Sequence, residues 1–202
     1  MKFLLSVIVF IFFIFACAEN RHKKVIVKDA SGFFKEEFTV IDDSIKDGTY
    51  KKYYGNGILW DSCYYKNDTL QGQRKIYDNN GNLEIIENYK DGVLDGEYLV
   101  FYPDGQIKIR QFFKDNVLSD TSYVYYKNGV LKEKVCMADN KENGPFEEYY
   151  ESGVLHWKGR YLDGDNEQDT LYEYDRNGIL IRKMLCDKGI CHTIWKKNTQ
   201  SK

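Results

Sequence analysis

The chain has 202 residues, with 29 Lys and Arg against 31 Asp and Glu, for a formal net charge of −2 with histidine neutral. Charges of both signs are interspersed, and beyond the short "RHKK" run there is no basic stripe of the kind that holds nucleic acid electrostatically. Helical periodicity is weak throughout, and with two prolines in the whole chain nothing marks a second domain.

Taken in chain order, residues 1–16 come first. Lys2 is followed by thirteen residues, Phe3 to Phe15, that are apolar apart from Ser6. A helical span needs about 20 residues, so this run is short for one, but it has the charged start and apolar core of a secretory signal. The stretch Ile14-Phe15-Ala16-Cys17 resembles the bacterial lipobox. That resemblance implies cleavage before Cys17, lipidation of Cys17 and a protein exported to the cell envelope, lipid-anchored to a bacterial membrane and facing the periplasm or the surface. An ordinary signal peptide cut nearby and a membrane-spanning anchor are the other two readings. Residues 17–30 then form a polar tether carrying the lipidated cysteine. Residues 31–47 read as a degenerate half-repeat, with Gly32 in a turn slot, that caps the first edge.

A repeat dominates from residue 48 to 193. Gly57, Gly81, Gly105, Gly129, Gly153 and Gly178 recur at spacings of 24, 24, 24, 24 and 25 residues. Counting from nine residues before each glycine gives six units that start at 48, 72, 96, 120, 144 and 169. Four residues before each glycine stands an aromatic: Tyr53, Tyr77, Phe101, Tyr125, Tyr149 and Tyr174. Two residues after it stands an aliphatic: Leu59, Leu83, Ile107, Leu131, Leu155 and Leu180. A small polar residue and a glycine between two apolar runs signal a hairpin. In Pro103-Asp104-Gly105, proline suits a type I turn and the glycine a G1 bulge. A three-residue loop of that kind pairs Tyr102 with Gln106 and Phe101 with Ile107, which places the recurring aromatic and aliphatic on one side of the sheet. A second polar turn ends most units ("KND", "KDG", "KDN", "ADN", "LDG") and leads to the next strand. The fold predicted is therefore all-β, an elongated single-layer antiparallel sheet of tandem hairpins. A polar tail, 194–202, follows.

The phrase "G-x-x-x-x-Y-Y-x-N-G-x-L", followed by "Y-K-D-G", resembles the MORN-repeat variant of bacterial proteins, which includes a group labelled YwqK-family antitoxins. The resemblance implies a repeat scaffold and, as an alternative role, an antitoxin or immunity protein of a toxin–antitoxin system. Units four and six begin with Asp120 and Asp169 where that family prefers glycine, and unit six carries Cys186 and Cys191 where its closing aromatic and turn would be. Both departures suggest a C-terminal cap.

Catalysis requires a nucleophile, base or metal in a concave, partly dry site. The histidines, His22, His156 and His192, have no spaced partners, and His156 reads as an exposed strand residue beside Trp157. Neighbouring carboxylates in "KEEF" and "FEEY" point to opposite faces of a strand. No glycine loop precedes a helix N-terminus, so no phosphate cradle is expected. The reading is of a non-enzymatic protein without cofactor or metal. Cys186 and Cys191 bracket a tight loop that suits a disulfide, with zinc binding alongside His192 as the alternative, whereas Cys63 and Cys136 do not meet. The face opposite the aromatic–aliphatic pairs carries Tyr54, Tyr102, Tyr126 and Tyr150, joined by Tyr50, Tyr98 and Phe146. Tyrosine rows of this kind either steady a one-layer ribbon or form a docking face for a protein partner. From these we expect Tyr54, Tyr98, Tyr102, Tyr126, Phe146 and Tyr150 to contact a partner.

Overall fold

The structure, a computed structural model, describes residues 22–32 and 34–198. The signal-like run and Cys17 lie outside the described residues. The described chain forms one open antiparallel sheet of sixteen strands. They are β1 (Lys23–Lys28), β2 (Phe34–Ile41), β3 (Ile45–Tyr53), β4 (Leu59–Lys66), β5 (Thr69–Tyr77), β6 (Leu83–Lys90), β7 (Val93–Leu94) and β8 (Gly96–Phe101). The second half holds β9 (Ile107–Lys114), β10 (Val117–Tyr125), β11 (Leu131–Ala138), β12 (Lys141–Tyr149), β13 (Leu155–Tyr161), β14 (Glu167–Tyr174), β15 (Leu180–Asp187) and β16 (Ile190–Lys196). Apart from the two-residue β7, which pairs with β6, each strand lies beside its neighbour in sequence. At about 4.8 Å per strand the ribbon runs roughly 70 Å.

The three-residue tip loop recurs in every unit. In the third, Tyr102 N–H donates to the Gln106 carbonyl and Gly105 N–H to the Tyr102 carbonyl, both at 2.8 Å, and Phe101 pairs with Ile107. The six tip glycines have φ between 76° and 87°, a left-handed conformation that glycine adopts without strain. The opposite turns are two residues long, Asn67-Asp68, Asp91-Gly92, Asp115-Asn116 and Asp139-Asn140. Both residues of each have positive φ, between 48° and 79°, as a type I′ turn requires. After unit five the loop is longer, with Leu162 N–H donating to the Asn166 carbonyl, and this accommodates the one spacing of 25.

Each unit also carries a bulge. Lys52 pairs with Asp61 and Tyr53 with Leu59, which leaves Trp60 without a partner across the ladder. Glu84, Lys108, Lys132, His156 and Ile181 stand in the same position. The extra residue reverses the alternation along the second strand of every hairpin. Leu59 therefore shares a face with Tyr53, whereas Cys63 shares the other with Tyr50. That other face holds the core: Val40, Cys63, Leu118, Val135, Phe146, Leu171 and Cys186 are all buried.

Unit starts are left-handed whether they hold glycine or aspartate. Gly48, Gly96 and Gly144 have φ of 126°, 124° and 132°, and a Cβ there would approach Thr39, Asn88 and Cys136 to 2.8, 3.1 and 2.9 Å. Gly72, Asp120 and Asp169 have φ of 71°, 67° and 65°, which aspartate tolerates. Asp120 and Asp169 thus occur only in the even-numbered units, where the backbone accepts them.

Three expected boundaries are corrected. Residues 23–28 are strand β1 and not tether, because Val25 and Val27 pair with Phe38 and Glu36. The leading segment is a whole hairpin and not a half-unit: Gly32 N–H donates to the Asp29 carbonyl at 3.0 Å, and Lys28 pairs with Phe34. Residues 194–196 belong to β16 and not to a tail. That last strand is an open edge with Ile190 67%, Ile194 58% and Trp195 42% exposed, so the terminal hairpin does not shield the sheet as a cap would.

Candidate functional site: the row of hairpin tips

Tyr54, Tyr102, Tyr126 and Tyr150 begin the tip loops of units one, three, four and five. Each hydroxyl crosses to the next unit and donates to a backbone carbonyl, those of Tyr77, Tyr125, Tyr149 and Tyr174, at 2.8, 2.8, 2.7 and 2.9 Å. Each ring also lies near the bulged residue of its own unit. Tyr54 tilts against Trp60 at 5.8 Å and Tyr150 stacks on His156 at 4.2 Å. Lys108 and Lys132 stand over Tyr102 and Tyr126 at 5.9 and 6.0 Å, and Arg176 covers Tyr150 at 5.0 Å. The bulge thus supplies a platform for the ring, and the ring ties one hairpin to the next. His156, expected to be exposed, is half-buried by its stacking on Tyr150, and that burial holds its imidazole below the usual histidine range.

The opposite loop edge is tied in the reverse direction. The N–H groups of Asp68, Gly92, Asn116 and Asn140 donate to the carbonyls of Lys46, Leu70, Leu94 and Leu118 at 2.8–3.2 Å. The Asn116 and Asn140 side chains accept from the N–H groups of Leu94 and Leu118, both at 2.8 Å. Both edges of the ribbon are therefore stitched from unit to unit, the tip edge through the tyrosines of units one, three, four and five.

Tyr98 and Phe146 do not belong to this row. They occupy the third residue of their units, a slot that also holds Tyr50, Arg74, Ser122 and Leu171 and faces the core. Phe146 is 3% exposed and stacks on Tyr161 at 4.1 Å. It faces Gly159, where a Cβ would come within 2.8 Å of its ring. Tyr98 is half-buried, edge-on to Phe113 at 5.7 Å. The expectation that Phe146 meets a partner is thus corrected, since its ring is spent on the core; the half-buried Tyr98 is also turned toward that face. The single tyrosine face expected from the sequence divides into tip staples and core-slot aromatics.

The core slot of unit two holds an ion network. Arg74 donates to both Asp61 oxygens at 2.8–3.2 Å and to Glu87 at 3.2 Å, and Tyr89 donates to the same Glu87 oxygen at 3.2 Å. Those hydrogen bonds raise the Arg74 guanidinium above its ordinary range. Further along, Glu133 and Glu148 pair directly across β11 and β12. Burial pushes both carboxyls above the usual range, and for Glu133 the neighbouring Glu148 adds to the shift. A folded carboxyl titrating above its unfolded value, about 4.3, favours the fold below that pH and loses the contribution as pH rises through the raised value. Glu148→Gln should therefore increase stability at pH 7 by about 0.2–1 kcal/mol, as relief of facing like charges does, with no gain at pH 4. Urea melts at the two pH values check this, and an equal effect at both would refute it.

Cys186 and Cys191 form a disulfide, with Cα atoms 4.0 Å apart, packed against the Val135–Phe146–Leu171 cluster. Both sulfurs are therefore committed to each other, which overturns the zinc alternative with His192. Cys63 and Cys136 are free thiols, and burial pushes the Cys63 thiol up to about 11, far from a reactive thiolate. Among the described residues no group of three or more His, Cys, Asp or Glu is placed to hold a metal, and no helix is long and apolar enough to cross a membrane.

Fold and site together define a tandem-hairpin repeat protein, one sheet thick, whose units are tied to one another at both loop edges. The MORN repeat variant matches four of its segments, 46–67, 70–91, 94–115 and 121–139. The leading hairpin and units five and six lie outside the matched segments yet continue the same sheet. No curated protein matches the chain.

Proposed function

We propose that the protein is a non-enzymatic scaffold, anchored in the bacterial cell envelope through lipidated Cys17, that engages a protein partner along its row of hairpin tips. The observation that carries this reading is the row itself. At three successive tips a tyrosine ring is held in a fixed place by its hydroxyl and has an exposed cation, Lys108, Lys132 or Arg176, within 6.0 Å of its centre. Rigid aromatics beside Arg and Lys, repeated at the spacing of the units, are suited to recognition at low entropic cost. The antitoxin role rests on family likeness and draws no added support from this geometry.

Two measurements test the reading. Cys17→Ser should move the protein from the membrane fraction to the soluble one, and continued membrane retention would count against the anchor. Changing Lys108, Lys132 and Arg176 to Gln removes the cations while leaving every tyrosine hydroxyl its carbonyl acceptor, and should shift stability by no more than about 0.5 kcal/mol per site. The same triple variant should lose the partner captured by crosslinking in the native cell, and undiminished capture would remove the tip row from the interface.

A further inference from the structure

The row of tip tyrosines is broken in one interior place. Unit two has Asp78 where units one, three, four and five have Tyr54, Tyr102, Tyr126 and Tyr150. Asp78 is turned back into its own loop, where it accepts from the N–H groups of Asn80 and Asn82 at 2.8 and 2.9 Å and from the Asn82 side chain at 2.9 Å. It makes none of the crossing contacts that the tyrosines make, and a cleft of about 200 Å³ opens at this junction.

Its walls are the repeat counterparts of those that hold a ring elsewhere. Glu84 matches Trp60, against which the Tyr54 ring tilts, and Leu83 beside it matches Leu59. Phe101 matches Tyr77, whose carbonyl accepts from the Tyr54 hydroxyl at 2.8 Å. Tyr102 and Lys108 complete the far side. The leading hairpin follows the same rule: Asp29 holds the corresponding tip position there, and a cleft of about 400 Å³ opens against Lys52, Tyr54 and Trp60. Where the tip residue is aspartate, the space that a tyrosine ring takes at the other junctions remains open to solvent.

We propose that the cleft between Asp78 and Phe101 is a socket for a tyrosine side chain of a partner polypeptide, its ring lying beside Glu84 and its hydroxyl donating to the Phe101 carbonyl. Four junctions of the same molecule show this arrangement made from within, with hydroxyl-to-carbonyl distances of 2.7–2.9 Å. The chemistry selected is a flat ring with a donor at its far end. An aliphatic side chain lacks the ring, and phenylalanine lacks the donor. The proposal gives a chemical class to the partner of the scaffold and rests on that reading, but it concerns one cleft and is tested without the partner.

The probe is N-acetyl-tyrosinamide, titrated into the full chain and followed by amide chemical shifts. Shifts at residues 78–84 and 100–108, with any second set restricted to the matching cleft beside Asp29 and Trp60, and saturating with a Kd on the order of millimolar are expected for a small ring in such a socket. N-acetyl-phenylalaninamide should bind about fivefold more weakly, the factor that one net hydrogen bond supplies. Asp78→Tyr should fill the cleft from within, since Asn80 stands where Asn56 caps the unit-one loop through the Ile58 N–H. That variant should no longer bind the probe at residues 78–84 and 100–108, whereas Asp78→Ser, which leaves the cleft open, should bind there as the parent does. Equal affinity for the two compounds at residues 78–84 and 100–108, or no saturable shift there, would overturn the socket, as would undiminished binding at those residues by Asp78→Tyr. The comparison of compounds on the parent chain stands even if a variant fails to fold. Because capture of the partner by crosslinking is measured separately, loss of the socket would leave the scaffold reading to its own test.

Discussion

Phe146→Ala should lower unfolding stability by about 3–5 kcal/mol, the range for emptying a buried phenylalanine site. The ring is 3% exposed and lies in a buried apolar cluster, with Val135, Leu171 and Cys186 around it and Tyr161 stacked at 4.1 Å. Gly159 opposite contributes no side chain that could move into the cavity, because its missing Cβ is what admits the ring. A one-layer ribbon has no second sheet to collapse inward, which places the expected loss toward the upper end. Units contact only their neighbours, so the loss should be local. Amide protection should fall over β11–β15 and stay near its parent values over β2–β5. A loss under about 1 kcal/mol, or an equal fall in protection along the whole ribbon, would show that this cluster does not hold the C-terminal half together.

The division between what the sequence discloses and what it hides follows from distance along the chain. The three-residue loop was legible because its determinants are adjacent: Pro103, Asp104 and Gly105 fix the turn, and the turn fixes the pairing of Phe101 with Ile107. The bulge was not, because Trp60, Glu84, Lys108, Lys132, His156 and Ile181 share no chemistry by which a common conformation could be read. Without the bulge, simple alternation cannot separate Leu59 from Cys63 correctly, and the core appears on the wrong side. The staple was hidden for another reason. Tyr54 and Tyr77 are 23 residues apart, and the acceptor is a backbone carbonyl that no residue type announces. A tyrosine row could be counted from the sequence, but its division into staples and core aromatics depends on which face each ring takes.

The core slot shows the same limit from the side of energetics. Across the six units it is filled by Tyr50, Arg74, Tyr98, Ser122, Phe146 and Leu171, each facing its own hairpin partner: Cys63, Glu87, Gln111, Val135, Gly159 and Met184. Backbone hydrogen bonds and loop staples keep every slot in register, so its chemistry can vary from a phenylalanine over a glycine to an arginine between carboxylates. The repeat fixes the frame and leaves the contents to pairwise fit.

That freedom leads to the largest electrostatic effect expected in the molecule. Arg74→Ala should destabilise the fold by about 3–5 kcal/mol, the cost of leaving a buried charge without its partner. Asp61 is 7% exposed, and its two oxygens take three donor contacts from Arg74, so the substitution strands a carboxylate that water barely reaches. Glu87 would lose its Arg74 contact in the same step. Losing the arginine stem alone does not predict so large an effect, because its methylenes are partly exposed. Unit six offers the means to separate the two causes. There the slot and its partner are Leu171 and Met184, and the place of Asp61 is taken in unit two itself by Ile85. The triple variant Asp61→Ile, Arg74→Leu, Glu87→Met replaces the network with side chains the repeat already accepts. Exchanging a buried ion set for packed apolar residues is often neutral or stabilising, so this variant should recover most of the loss. Denaturant midpoints of the parent, Arg74→Ala and the triple variant decide the matter. A triple variant no more stable than Arg74→Ala would mean that the ion network sets the pairing of units one and two and cannot be exchanged for apolar packing.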